Sequence, residues 1–243
     1  MTPGRTIVVG DVHGCRRELE LLLERLAFRS GDQLVFVGDI VSRGPDSLGV
    51  IAIARQTGAH VVRGNHEAKL LSWLRAKPEK RKDLPISKHH ALIAERMSQA
   101  DWAIIAQSTL WLDLPEHELR VVHAGVVPGL PIEKQEEKNL LHMRCLTGKG
   151  EASDEKWGHA PLWGSRYDGP PHVVFGHNAL SDVQIHRWAT GLDTGCVYGG
   201  SLTALVLHAG EAMPRGAAVR ELLHHQKALA VHFEPGKLPV AKP

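Results

Sequence analysis

The sequence lacks most features that mark special classes of protein. Cysteine is scarce: Cys15, Cys145 and Cys196 are the three in 243 residues. They lie far apart and form no CxxC pair, which argues against the disulfide framework of secreted domains. No run approaches the ~20 apolar residues that a membrane span requires, and no secretory leader pattern opens the chain. A reducing, cytoplasmic setting is the expectation. An excess of one charge is also missing, because 29 Lys and Arg face 27 Asp and Glu, for a net charge of +2. That balance gives no electrostatic basis for gripping duplex nucleic acid or an anionic membrane. Internal repeats and low-complexity tracts are absent. The 43% hydrophobic and 23% charged fractions are those of a globular protein, and a chain of this length can bury its own core. The abundant residue is histidine, with 16 copies.

Short Val- and Ile-rich runs alternate with helical patterns in the first half. Residues 6–9 (TIVV), 33–37 (QLVFV) and 60–62 (HVV) read as strands. Between them, 15–28 carries the helical stripe Leu19, Leu22, Leu23 and Leu26, and 48–57 reads as a second helix stopped by Gly58. Helices are expected next at 67–76 and 90–99. This β-α-β-α-β order predicts a layered α/β fold with mainly parallel strands. The second half is richer in strands, expected at 110–112, 119–122, 172–175, 183–188 and 202–207, with a last helix at 219–230. Residues 1–243 are expected to form one domain, with an irregular insert at 126–171 and a disordered tail beginning FEPGK. So long an irregular segment inside a compact domain is often functional.

Five apolar strands end in a glycine turn beside a polar residue with metal-ligand chemistry. They read IVVGDVHG (7–14), VFVGD (35–39), VVRGNHE (61–67), VVHAG (121–125) and VVFGH (173–177). In α/β sheets, ligands bind at the carboxyl ends of strands. Asp11, His13, Asp39, Asn65, His123 and His177 are therefore expected to converge there. A lone Gly-Asp pair is usually a turn, and a lone His on an apolar run is usually core; five strand ends in register are what carry the inference. Six ligands exceed the needs of one ion with an open position and suit two ions sharing a carboxylate. Imidazole, carboxylate and amide without thiolate favour manganese, iron or zinc. Two such ions can activate water for in-line displacement at phosphorus.

The motifs GDVHG (10–14), GDIVSRG (38–44), GNHE (64–67), HAG (123–125) and GH (176–177) together resemble those of the calcineurin-like metallophosphoesterases. The match runs from residue 7 to about 207 and leans to the phosphoprotein-phosphatase branch, which includes bacterial symmetrical diadenosine tetraphosphatase. The stretches GDIVSRGP, MRC (143–145) and LDTGCVYGGSLTAL (192–205) favour the dinucleotide hydrolases. The resemblance implies a sandwich of two mixed β-sheets flanked by helices. It implies Asp11 and His13 on a first metal, Asp39 bridging, and Asn65, His123 and His177 on a second, with manganese as the first expectation and iron or zinc accepted. It makes His66 the general acid, Arg43 a phosphate clamp and Arg144 a second one. The implied substrate is a dinucleoside polyphosphate cut symmetrically at a phosphoanhydride by metal-activated water, the alternatives being a phosphoprotein or a silent metal-binding scaffold.

One position departs from the protein-phosphatase pattern: Ser42 stands where many members have the Asp that pairs with the acid histidine. Serine cannot supply the negative charge that raises an imidazole pKa, so Asp46 or Glu67 is the candidate substitute. A departing nucleotide phosphate needs less proton help than an alkoxide, which favours a phosphoanhydride substrate. The remaining histidines, His90 and His142 among them, fit no ligand pattern and are expected at the surface or in packing. Trp157 and Trp163 are candidates for stacking on a base or for packing. The basic stretch 77–88 is expected to be a solvated loop. Cys15 and Cys196 lie near motifs without a base partner, which argues against a thiol nucleophile.

Overall fold

A computed structural model describes residues 4–155 and 160–234. In chain order the elements are β1 (Thr6–Val9), α1 (Arg16–Arg25), β2 (Gln33–Phe36), α2 (Ser47–Thr57), β3 (His60–Val61), α3 (Asn65–Arg75), α4 (Lys88–Arg96) and α5 (Gln99–Gln107). They continue with β4 (Trp111–Leu114), β5 (Leu119–Val122), α6 (Glu137–His142), β6 (Cys145–Leu146), β7 (Ala152–Ser153), β8 (His172–Phe175), β9 (Gln184–Ile185), β10 (Ala189–Gly191), β11 (Ser201–Leu207) and β12 (Leu223–Lys227). Two five-stranded mixed sheets result, ordered β12-β11-β1-β2-β3 and β4-β5-β8-β10-β9, with β6 and β7 as a separate hairpin. Within each sheet three neighbouring strands run parallel: β1, β2 and β3 in one, β5, β8 and β10 in the other.

The apolar runs of β1 and β2 are continuous because both faces of these strands are covered. On β1 and β2, Val8 and Val35 point between the sheets, where they meet Val121, Val174, Leu205 and Leu207. Their neighbours Ile7, Val9, Leu34 and Phe36 point outward onto α1 and α2 through Leu19, Leu22, Val50 and Ile51. The outer face of the second sheet is covered by Leu140, Met143 and Trp163 against Val173 and Phe175. Two buried histidines sit in the packing as expected. His117 Nε2 meets Thr6 Oγ1 at 2.8 Å and His117 Nδ1 donates to the Glu211 carbonyl at 2.6 Å, tying the two sheets together; His172 Nε2 meets Thr190 Oγ1 at 2.9 Å.

Three local expectations are corrected. Residues 219–230 do not form a helix: a 3₁₀ turn over Gly216–Leu222 leads into β12, which pairs along most of β11 from Ser201↔Lys227 to Leu205↔Leu223. The open edge of β11 needs backbone partners, and that need outweighs a helical pattern with no cap. Residues 183–188 are not one strand; the chain turns between β9 and β10, and Thr190 pairs with Ile185. The helix expected at 90–99 stops at Arg96, and α5 begins afresh after Ser98, whose hydroxyl and Asp101 form a reciprocal capping box. The 126–171 stretch contains α6 and the β6–β7 hairpin. The basic stretch is exposed or partly exposed through Ile86 and forms a 3₁₀ turn over Pro78–Asp83. The tail from residue 235 and Trp157 lie outside the described residues. Among the described residues no helix is long and apolar enough to cross a membrane.

Candidate active site

All six parallel strands deliver a polar side chain to one edge of the sandwich. Beyond β1 come Asp11 and His13, beyond β2 Asp39, beyond β3 Asn65 and His66, beyond β5 His123, beyond β8 His177 and beyond β10 Asp193. Apart from the partly exposed His177, these side chains are all buried. Close approach demands unusual backbone. His13, Asp39, Ser42, Arg43 and His177 all have left-handed φ, between 48° and 75°, a conformation that costs L-residues energy and clusters at functional sites. At Gly64 a Cβ would collide with Asp39 Oδ1.

Glu67 organises the turn from which Asp39 projects. Its Oε2 accepts from Asp39 N at 2.7 Å and Gly64 N at 2.8 Å, and its Oε1 from Ile40 N at 3.0 Å. Asp39 Oδ1 in turn accepts from His66 N at 2.9 Å. The Asp11 carboxylate accepts from His177 N at 3.1 Å, tying the ends of strands from opposite sheets.

The ring tautomers follow from their backbone partners. His123 Nδ1 donates to the Val37 carbonyl at 3.1 Å and His13 Nδ1 to the Val41 carbonyl at 3.2 Å, which leaves each Nε2 with a bare lone pair. Burial pushes His13 down to about 3 and keeps His123 below the ordinary imidazole range, so both rings are neutral. His123 Nε2 then faces Asn65 Oδ1 at 3.1 Å and Asp39 Oδ2 at 3.5 Å. Asn65 Oδ1 also meets His177 Nδ1 at 2.9 Å, and His177 Nε2 is buried without a partner. The lone pairs of His123 Nε2, Asn65 Oδ1 and Asp39 Oδ2 converge on one another, the arrangement of a site for a cation. The donor atoms of Asp39, His123 and His177 lie within 4.8 Å of one another, as do those of His13, Asp39 and His66, so Asp39 belongs to both groups. Burial, with Asp193 and Asp39 nearby, raises the Asp11 carboxyl, and burial raises Asp193 to about 6; such crowding of carboxylates again calls for positive charge.

The cation the structure shows here is Arg43, whose Nη1 lies 2.7 Å from His13 Nε2. The backbone N–H of Arg43 donates to His89 Nδ1 at 3.1 Å, and its guanidinium lies 5.5 Å from the Tyr198 ring centre. Arg144 is half-buried, with Nη1 donating to the Asp154 carbonyl at 2.8 Å, and its charge adds to the burial that depresses His123 and His177. All nine residues singled out in the sequence thus gather at this edge.

The partner of His66 is the correction. Glu67 is committed to backbone N–H groups, and Asp46 caps α2 through Gly49 N at 2.8 Å while pairing with Arg16 at 3.1 Å. Neither meets His66. Instead His66 Nδ1 lies 2.9 Å from His90 Nε2, and His90 Nδ1 lies 2.7 Å from Ser87 Oγ. Burial, with Lys69 adding to it, pushes His90 down to about 4. His142 is likewise near the site, its ring centre 6.1 Å from that of His177. Nothing periodic marks His90 in the sequence. Asp193 had a signal, since ATGLD repeats the pattern of a strand, a glycine and a carboxylate. Trp163 is buried in packing, its Nε1 donating to the Ala124 carbonyl at 3.1 Å, and offers no face to a base. Cys15 and Cys196 are buried, and the Cys196 thiol is pushed up by its contact with Cys15 and by burial, which leaves no nucleophile there.

Comparison with known proteins agrees with this geometry. The family model described as calcineurin-like phosphoesterase matches residues 4–208. A bis(5'-nucleosyl)-tetraphosphatase PrpE (asymmetrical) from Oceanobacillus iheyensis is 30% identical over 220 residues, covering 81% of this chain and 86% of that one. A symmetrical bis(5'-nucleosyl)-tetraphosphatase from Chromohalobacter salexigens is 30% identical over 269 residues, covering 85% and 96%. The crystal structure of a protein proposed to be a diadenosine tetraphosphatase superposes with a TM-score of 0.74 at 40% identity, covering 84% of this chain and 89% of that one. Two mixed sheets with acid, amide and imidazole groups at their common edge, matched along most of the chain, place it among the calcineurin-like phosphoesterases, and it is a metal-dependent hydrolase of phosphoric esters or anhydrides.

Proposed function

We propose that this enzyme hydrolyses a phosphoanhydride bond of dinucleoside polyphosphates. The observation that carries the choice of substrate is the contact of His66 with His90 in place of a carboxylate. A neutral imidazole neighbour does not stabilise an imidazolium, so the site suits a leaving group that departs as a stable phosphate anion. The names of the relatives support the same class, and they divide between symmetrical and asymmetrical cleavage.

Asp11, His13 and Asp39 would hold one divalent ion and Asn65, His123, His177 and Asp39 a second, with manganese expected and iron or zinc chemically acceptable to the same donors. When bound, such a pair supplies Lewis acidity and a nucleophilic water. The chain's own groups do the rest. Arg43 and Arg144 grip the non-bridging oxygens of the phosphate chain, a task to which the planar guanidinium fork is suited. His66, with Nε2 buried and unpartnered, offers a proton to the bridging oxygen as the bond breaks. Glu67 fixes the backbone that carries Asp39, Asn65 and His66.

The test is a panel with manganese, iron or zinc added to metal-free protein. Diadenosine tetraphosphate is run against a phosphopeptide, and products are separated by chromatography. Release of ADP alone marks symmetrical cleavage and release of ATP with AMP the asymmetrical one. Faster turnover of the phosphopeptide would overturn the reading in favour of a protein phosphatase, and no turnover of either at full metal occupancy would leave a scaffold.

A further inference from the structure

We infer that Phe233 is the platform on which a nucleobase of the substrate stacks, joined to the phosphate clamp Arg43 by the ring of Tyr198. The inference deepens the dinucleotide reading above and rests on it. Three observations carry it.

First, an aromatic corner adjoins the clamp. The Arg43 guanidinium lies 5.5 Å from the centre of the Tyr198 ring, and Phe233 meets that ring edge to face, 6.2 Å between centres and 62° between planes. Burial pushes the Tyr198 phenol up to about 12, and Asp193, Asp11 and Asp39 act on it through space. The ring is therefore uncharged and stands at the rim of the site. A nucleotide has its parts in the same order: phosphate, then a ribose as spacer, then a planar apolar base. Phosphoserine and phosphothreonine offer no plane.

Second, Phe233 is 46% exposed, the one Phe, Tyr or Trp among the described residues to leave so much of itself in water. Its neighbours Leu229 and Val231 are exposed as well. The area left wet does nothing for the fold, and an apolar patch continuous with a polar site marks a surface that binds.

Third, the exposed ring is not loose. Phe233 opens the segment expected to be disordered, yet its N–H donates to the Val197 carbonyl at 2.9 Å, as does that of His232 at 3.0 Å. The buried Glu18 of α1 accepts from Leu229 N at 3.0 Å and lies 2.7 Å from His232 Nε2. Val231 pairs with Tyr198 in a single antiparallel bridge. A ring on so fixed a backbone has little freedom left to lose when a flat ligand settles on it.

The test uses the metal-loaded full chain and compares ADP with pyrophosphate by calorimetry, two ligands that share a diphosphate and differ in the nucleoside. Phe233→Ala is expected to weaken ADP about tenfold, the scale of losing one base–aromatic stack, and to leave pyrophosphate unchanged. KM on diadenosine tetraphosphate should rise by a similar factor while kcat holds, and Phe233→Trp should restore both affinities. Equal weakening of ADP and pyrophosphate would mean that the ring acts through Arg43, and no change in either would hand the exposed ring to another contact, such as a second copy of the chain; each result overturns the inference. Proton NMR of the unaltered protein gives a readout independent of any variant: the Phe233 ring resonances are expected to shift with ADP and not with pyrophosphate, and their indifference to ADP would overturn the inference. Failure here is distinct from failure of the substrate reading. If diadenosine tetraphosphate is not turned over but ADP still depends on Phe233, the base site stands and the choice of substrate falls; if it is turned over with KM indifferent to Phe233→Ala, the base site alone falls.

Discussion

The backbone N–H of Asp39 donates to the carboxylate of Glu67 at 2.7 Å, so the residue shared by both ligand groups is held by the third residue of the next motif. Glu67 accepts three backbone donors in all. Glu67→Gln puts an amide N–H against one of them. It is expected to destabilise the fold by about 1–3 kcal/mol, as an unsatisfied buried donor does, and to lower kcat by loosening Asp39. Thermal denaturation and steady-state kinetics on the same preparation check both.

Asp39→Asn removes charge from both ligand groups without changing shape. Metal content measured by elemental analysis should fall, and activity should drop by more than the ~10–100-fold typical of losing an outer-sphere partner. Retention of full occupancy and turnover would remove Asp39 from the centre. In the unaltered protein, stripping the ions with a chelator should lower the melting temperature and adding manganese should restore it, because a ligand held only by the folded state stabilises it.

Arg43 and Arg144 differ in what holds them. Arg43 is pinned through its backbone by His89, and Arg144 through its side chain by the Asp154 carbonyl. Arg43→Lys keeps the charge but loses the fork, and it is expected to behave nearly as poorly as Arg43→Ala, with kcat/KM on diadenosine tetraphosphate down by about 100-fold, the scale of losing one transition-state donor. Arg144→Ala should act mainly on KM.

His117 joins Thr6 of one sheet to Glu211 beyond β11. His117→Ala strips both contacts and leaves a cavity. A loss of about 2–4 kcal/mol in urea unfolding is expected, with kcat of the folded fraction unchanged because the residue lies far from the strand ends that form the site.

Asp32 accepts from Arg5 Nη2 at 2.6 Å, Arg5 N at 3.0 Å and Arg29 N at 3.2 Å. Burial alone would raise its carboxyl, but these donors hold it down at about 2. A depressed carboxylate contributes stability that is present above its unfolded value of 3.8 and is lost as the pH falls towards 2. Asp32→Asn should therefore cost about 1 kcal/mol at neutral pH, after screening by solvent. It should also flatten the acid limb of the stability curve between about pH 4 and 2, measured by urea titration at each pH.

The strand framework was legible because strands covered on both faces spell unbroken apolar runs, and because the glycine and polar residue that follow them sit at fixed offsets. Asp11, Asp39 and His123 are read that way. His90 was not, since its contact with His66 joins two helices whose faces have no shared period. β12 was misread because LLHHQK carries no strand signature of its own; its conformation is set by the vacant edge of β11. Long-range pairing of that kind, and the choice of His90 over Glu67, are decided by which groups remain unsatisfied once the chain has folded.

Five residues around the site hold left-handed backbone, at about 1–2 kcal/mol apiece for an L-amino acid. Glycine would relieve each of them, yet at His13, Asp39, Arg43 and His177 it would delete the very side chain the strain presents. Ser42 alone has no chemical duty here. Selection for heat resistance without selection for turnover should therefore erode this rim first, and Ser42 is where robustness can rise while catalysis survives.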